Sequence, residues 1–297
     1  MVRGLCLRGV FVVCALPWVD ATLAQGQRLQ KERVYTSVRP LVIIPTYNEC
    51  ENVIPFVTAV LATHPEVHVL VVDDNSPDGT GALADHLARE TGRVFVCHRA
   101  AKQGLGTAYI AGFRYALERD YDRVVTMDAD FSHRPEDLPR LLQAVDASDL
   151  AIGSRSVPGG RVEGWPLSRH IVSKGGSLYA RLLLNLPIHD CTGGFKCLRR
   201  SALETLDLDR LRSNGYGFSV EVNYACAQAG LRITEIPIVF PDRTRGQSKM
   251  SRGIVTEAAA LVLRLRLGLQ PAAILSGKVS PAPLSSLAAS APGDNRG

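Results

Sequence analysis

The chain has 297 residues, 46% of them apolar and 21% charged, with 34 Lys and Arg against 29 Asp and Glu and a formal net charge of +5. That length holds one large domain or two small ones, and the apolar share excludes a fibrous or wholly disordered chain. The small charge excess and the lack of any block of five Lys or Arg exclude a polybasic nucleic-acid binder.

The 7 cysteines are scattered and odd in number, without a C-x-x-C pair, so neither a disulfide framework nor a structural zinc site is expected. A reducing cytosol suits them. Residues 1–37 form an N-terminal extension in which Arg3 and Arg8 precede the apolar run VFVVCALPWV. Its form is that of a weak signal peptide, too short for a spanning helix and interrupted by Pro17. A start placed too far upstream, or an uncleaved peripheral anchor, would give the same pattern.

From residue 38 the chain alternates strands and helices. PLVIIPTYN (40–48) and VHVLVVDDNSPDGT (67–80) read as buried strands ending in turn residues, with a helix between them that places Val53, Phe56, Val57 and Leu61 on one face. A helix over 80–92, a strand over 93–99, a helix over 106–120, a strand over 123–130, a helix over 134–147 and a strand over 149–155 follow. This order implies an α/β fold, a mostly parallel, doubly wound sheet with helices on both faces. Ligands of such sheets lie beyond the carboxyl ends of the strands, and there the polar clusters fall: Tyr47, Asn48 and Glu49; Asp73 and Asp74; Asp128 and Asp130; Arg155.

Asp128 and Asp130 close one strand a single residue apart. Two carboxylates so close repel unless a cation shares them, and hard oxygen ligands suit Mg²⁺ or Mn²⁺ bridging a diphosphate. An aspartate-nucleophile phosphatase also carries D-x-D after a strand, but on its first strand and with an acidic pair downstream; here Asp73-Asp74 lies upstream. KQGLGTAYIAG (102–112) does not fit the dinucleotide spacing G-x-G-x-x-G and reads instead as a tight loop capping a helix. Further on, 173–190 and 253–269 are apolar helices interrupted by Arg181, Arg264 and Arg266, which suits helices lying in a bilayer interface. Residues 277–297 are rich in Pro, Ala and Ser with nothing to bury.

PTYNE, VVDDNSPDGT, GLGTAY, DADFSHRPEDLP, GSR, DCTGGFK, GYGF and DRTRGQSK stand in an order and spacing that resemble the family 2 inverting glycosyltransferases of the polyprenol-phosphate (dolichol-phosphate) mannose synthase type. The resemblance spans residues 38 to about 250. It implies a GT-A type fold over 38–252, beyond which the residue pattern gives an amphipathic membrane-interface helix over 253–270 and a disordered tail over 271–297. It also implies transfer of mannose from GDP-mannose to a polyprenyl or dolichyl monophosphate, with Mg²⁺ or Mn²⁺, by a peripheral enzyme on the cytoplasmic face of a membrane.

Carried over residue by residue, Pro45, Tyr47, Glu49, Val72 and Asp74 correspond to the guanosine pocket, and Asp128, Ala129 and Asp130 to the metal and diphosphate segment. Arg155, Arg243 and Lys249 correspond to cations facing the phosphates, Arg169 to a position meeting the acceptor phosphate, and Ser132 to a third metal ligand. Asp130, Arg155 and Arg169 are then the catalytic candidates. A phosphate acceptor is already anionic near neutral pH, so no dedicated base is required. Glucose transfer from UDP-glucose, or a non-catalytic nucleotide-binding subunit that recruits partners to membranes, are the alternatives. The resemblance leaves room for a membrane-anchoring or acyltransferase partner, and the many relatives with added transmembrane helices favour the mannose type for a chain without them.

Overall fold

The computed structural model describes residues 38–242 and 252–275. Strands β1 (Pro40–Thr46), β2 (His68–Asp73), β3 (Val94–His98) and β4 (Arg123–Thr126) are parallel, with β1 between β2 and β4 and β3 outside β2. Their connections are helices α1 (Val53–Thr63), α2 (Thr80–Thr91) and α3 (Leu105–Glu118). A 3₁₀ turn at Pro135–Asp137 and helix α4 (Leu138–Ala144) then lead into β5 (Leu150–Ser154), so the single helix expected over 134–147 is two pieces. Pro135 fixes a tight first turn, and Pro139 lies in the first turn of α4, where its missing N–H costs nothing.

Beyond β5 come a short strand β6 (Arg161–Val162), helix α5 (Leu167–Leu184), β7 (Lys196–Arg199), a one-turn helix α6 (Arg200–Leu203), α7 (Gly215–Gln228), β8 (Ile233–Pro237), β9 (Val239–Phe240) and α8 (Arg252–Arg266). The main sheet runs β3-β2-β1-β4-β7-β5-β8, and β6 pairs with β9 beside it. β7 is antiparallel to both β4 and β5, so the sheet is parallel except for this one inserted strand. Lys196-Cys197-Leu198-Arg199 has no strand pattern of its own; partners on both sides impose it.

Alternate residues of the strands feed two cores. Val42, Ile44, Val69, Val71 and Val125 pack with α1, α2 and α4, while Leu41, Ile43, Leu70, Val72 and Val124 pack with α3, α5, α7 and α8. Both faces being covered is why the strands read as unbroken apolar runs. Residues 271–275 belong to the fold rather than to the expected tail. Ala273 is 1% exposed, its carbonyl accepts from Asp207 N, and Ile274 bridges Leu206, because apolar side chains here find a buried seat.

Strands run outward from β1 toward β3 on one side and toward β4 on the other, so the crevice at their carboxyl ends opens between β1 and β4. Gly112 lets α3 settle onto β1, since a Cβ there would stand 2.6 Å from Ile43.

Candidate active site

At the β1 and β2 ends, Pro45 pairs with Val72 and Thr46 with Asp73. Asp73 is buried on Thr46 Oγ1 and on the amide and hydroxyl of Ser76, which makes it a turn-forming residue. Asp74 accepts the amides of Gln103 and Gly104 at 3.1 and 3.0 Å and faces Arg99 Nη1 at 3.0 Å. It therefore draws the loop before α3 onto the strand end. Tyr47 lies under Lys102, whose Nζ is 4.0 Å from the ring centre, and Glu49 holds Asn52 while its amide donates to Thr80. Pro45, Tyr47, Glu49, Val72 and Asp74 are thus collected at one edge of the crevice, with Val72 wholly buried in the sheet.

The segment after β4 folds back on itself. Phe131 adopts a left-handed backbone, φ 61°, unusual for a bulky side chain, and its ring is anchored edge-on against Phe56 at 5.0 Å. The reversal brings His133 under Asp128, whose backbone N–H donates to His133 Nδ1 at 2.9 Å. Stacked on Phe195 and edge-on to Phe240, the buried imidazole is held below its ordinary pKa by desolvation, against the pull of Asp128 and Asp130. With Nδ1 taken as acceptor, His133 is a structural partner of the loop.

Ser132 donates its amide and its hydroxyl to Asp130 Oδ1, the latter at 2.5 Å, and Ala129 is buried between the two aspartates. On Asp128, Oδ1 accepts from Tyr109 Oη at 3.1 Å, whereas Oδ2 looks toward Gly194, where an added Cβ would stand 4.0 Å away. Burial, then the Asp128 charge, push the Tyr109 phenol well above its ordinary value, so it stays a donor. Two carboxylates one residue apart at a strand end supply the hard oxygen donors that suit a divalent cation. Among the described residues no three His, Cys, Asp or Glu are grouped to hold a metal, so nucleotide and water oxygens would complete its shell.

Arg155, just past β5, is gripped by Asp190 through Nε (2.7 Å) and Nη2 (2.6 Å), and Thr192 accepts a third bond. Burial would raise the Asp190 carboxyl, but Arg155 overrides this and holds it below the usual range. Asp190 is in turn seated by Glu235, which accepts its amide at 2.9 Å. Lys196, fully enclosed, donates to the Gly193 carbonyl at 2.7 Å, and desolvation pushes its ammonium down to about 8.

Arg155 also lines a cavity of about 440 Å³ between α5 and α8, walled by Ile171, Tyr179, Val220, Ala259 and Val262 together with Trp165 and Arg169. Arg169 stacks 3.9 Å over the Trp165 ring and pairs with Asp242 at 2.7 Å. Arg155 and Arg169 thus share one cavity wall, and Asp128, with Asp130 beyond it in the same loop, stands within electrostatic reach of Arg155, whereas Arg243 and Lys249 lie outside the described residues. Sequence reasoning gave Tyr109, Trp165 and Thr192 no role. Tyr109 stands in the motif GLGTAY, and its signal is an aromatic two residues past Thr107, one turn into a helix that starts at the strand ends.

A mixed sheet with one reversed strand, helices on both faces and paired carboxylates at the switch of strand order define a GT-A type nucleotide-sugar transferase fold. Residues 41–207 match the model of glycosyl transferase family 2. The chain is 53% identical over 227 residues to undecaprenyl-phosphate mannosyltransferase of Micrococcus luteus, covering 76% of this chain and 93% of that protein. It is 51% identical over 236 residues to polyprenol monophosphomannose synthase of Mycolicibacterium smegmatis, covering 79% and 89%. Among solved structures, glucosyl-3-phosphoglycerate synthase from Mycobacterium tuberculosis, in complex with Mn²⁺, UDP and phosphoglyceric acid, superposes with a TM-score of 0.58 at 19% identity, covering 78% of this chain and 79% of that one. The chain belongs to glycosyl transferase family 2.

Proposed function

We propose that the protein transfers mannose, with inversion, from GDP-mannose to the phosphate of a polyprenyl monophosphate at the cytoplasmic surface of a membrane. The names of the bacterial relatives support the sugar and the acceptor class. The observation that carries the reading is the position of Arg155, which lines the apolar cavity and packs over Phe240, the ring that also meets His133 beneath Asp128. A polar diphosphate seat and a lipid-sized apolar wall share one cation there.

In this reading Pro45, Tyr47, Glu49, Val72 and Asp74 form the nucleoside edge, and Asp128 and Asp130 receive Mg²⁺ or Mn²⁺ with the diphosphate. A cation held by these two carboxylates would supply charge neutralisation for the departing GDP. Ser132 orients Asp130 and has only hydroxyl lone pairs to offer the cation. Arg169 and Arg155 hold the acceptor phosphate, whose oxygen forms the new bond to the mannose anomeric carbon as the bond from that carbon to GDP breaks. No base is needed, because the attacking oxygen is already ionised. Arg243 and Lys249 are assigned to the phosphates by sequence resemblance alone.

Exposed apolar side chains supply the membrane contact. Leu167, Ile171, Leu178 and Leu182 are 74, 63, 54 and 71% exposed and recur at helical spacing on α5, and Leu263 in α8 and Leu267 just past its end are exposed as well. No described helix is long and apolar enough to cross a membrane.

The test is to incubate purified protein and undecaprenyl phosphate with labelled GDP-mannose or UDP-glucose, with and without EDTA, and count label in the lipid fraction. Mannolipid that disappears in EDTA is expected. Glucolipid alone would replace the donor, mannolipid unchanged in EDTA would remove the metal, and no glycolipid from either would overturn the enzyme reading.

A further inference from the structure

Asp128 is one of two carboxylates on which the proposed cation depends, and a carboxylate at the end of its side chain has a broad, nearly free last torsion. Something must fix which oxygen faces the crevice. Among the described residues, one side-chain group donates to that carboxylate: the hydroxyl of Tyr109, 3.1 Å from Oδ1.

Tyr109 itself has little freedom. Its ring is 3% exposed and stacked on Phe218 of α7, with centres 5.7 Å apart and planes 16° from parallel, and on Phe113 one turn along α3. Gly106, one turn before, lets α3 approach the loop ahead of α7 so closely that a Cβ would stand 2.2 Å from Ser213 O. The phenol is therefore clamped by two helices, while His133 fixes the Asp128 backbone from the other side. Oδ1 is committed to Tyr109 and Oδ2 is left toward Gly194, beside the edge of the His133 ring.

We infer that Tyr109 is a positioning residue of the cation and diphosphate seat: its hydroxyl sets the orientation of the Asp128 carboxylate, and the aromatic stack through Phe218 ties that orientation to α7. The inference rests on the reading of Asp128 and Asp130 as the cation's seat. Partners behind metal-binding side chains commonly carry about 10- to 100-fold of metal affinity.

The experiment titrates Mn²⁺ into the full-length protein with GDP present, following free Mn²⁺ by electron paramagnetic resonance. Tyr109→Phe, which removes one oxygen and keeps the ring, is expected to raise the Mn²⁺ dissociation constant about tenfold and to leave GDP binding in EDTA and the melting temperature near wild type. Phe113→Leu, which trims one ring of the stack but keeps the hydroxyl and its Phe218 partner, is expected to lower the melting temperature and to weaken Mn²⁺ binding less than Tyr109→Phe does. A Tyr109→Phe protein that binds Mn²⁺ as wild type does overturns the inference and leaves the metal reading standing. Wild-type protein that binds no Mn²⁺ with GDP overturns both.

Discussion

Arg155 and Asp190 meet edge to edge in the interior, Nε on Oδ2 at 2.7 Å and Nη2 on Oδ1 at 2.6 Å, with side chains 8% and 1% exposed. Two parallel bonds fix the plane of the guanidinium and leave its remaining edge to the cavity. Removing one partner from such a pair strands the other charge without water. Asp190→Asn is therefore expected to cost about 3–5 kcal/mol of stability, read as a lowered urea midpoint. The pair also sets an acid limit. Asp190 is held below its ordinary value of 3.8, so its contribution is complete above that pH and drains away as pH falls further, through the folded-state value. Wild type should thus lose stability below about pH 4 more steeply than Asp190→Asn.

Lys196 gives the opposite slope. Its folded value is near 8 against an ordinary 10.5, so between these the unfolded chain binds the extra proton and stability rises with pH. Buried Cys191, Cys197 and Cys226 are pushed up to about 12 from 9.0, so above pH 9 the unfolded chain loses protons that the fold retains. Because three thiols oppose one ammonium, stability should climb only to about pH 8.5 and decline beyond. Urea midpoints at pH 7, 8.5 and 10 check this, and Lys196→Met should abolish the climb while keeping the decline.

Asp130→Asn keeps the shape of the side chain and removes its charge. Transfer of mannose to lipid should drop roughly 100-fold or more, as when charge stabilisation of a leaving group is withdrawn. Because Ser132 donates both its amide and its hydroxyl to Asp130 Oδ1, Ser132→Ala should produce a smaller loss of the same kind. Equal losses in the two variants would make Ser132 as important to the seat as the carboxylate it holds.

Much of this site could be read from the chain because strands buried on both faces announce themselves as apolar runs, and the residues that break such runs stand at the ligand-binding end. Tyr47, Asp74, Asp128 and Arg155 were legible for that reason. The links between distant segments were not. Tyr109 reaches Asp128 across 19 positions and Glu235 reaches Asp190 across 45, and neither partner carries a local mark of the other. The reversed strand β7 was hidden because its pairing with β4 and β5 is imposed by neighbours. His133, three residues past Asp130, is turned back to its own loop by the left-handed step at Phe131, a contact no local pattern marks.

Gly106→Ala tests how closely α3 must approach. The new Cβ would lie 2.2 Å from the carbonyl of Ser213, which is backbone and has little room to retreat, so the first turn of α3 must shift, and Tyr109 with it. A cost of about 1–3 kcal/mol is expected for this overpacking, together with weaker Mn²⁺ binding. Full Mn²⁺ affinity in a destabilised Gly106→Ala protein would separate the helix contact from the seat.

Membrane binding should fail separately from folding. Leu178 and Leu182 are 54% and 71% exposed on α5, so their replacement removes little from the core. In a bilayer interface each buried leucine contributes about 1.5–3 kcal/mol, and a glutamate adds repulsion from anionic lipid. Leu178→Glu with Leu182→Glu is expected to abolish flotation with vesicles of phosphatidylglycerol and phosphatidylcholine. The melting temperature and GDP binding should stay near wild type. Transfer to undecaprenyl phosphate in vesicles should collapse, while transfer to a short, water-soluble polyprenyl phosphate persists, because the acceptor then reaches Arg155 and Arg169 without a surface. Loss of both transfers alike would place these leucines in the acceptor cavity instead of on the membrane.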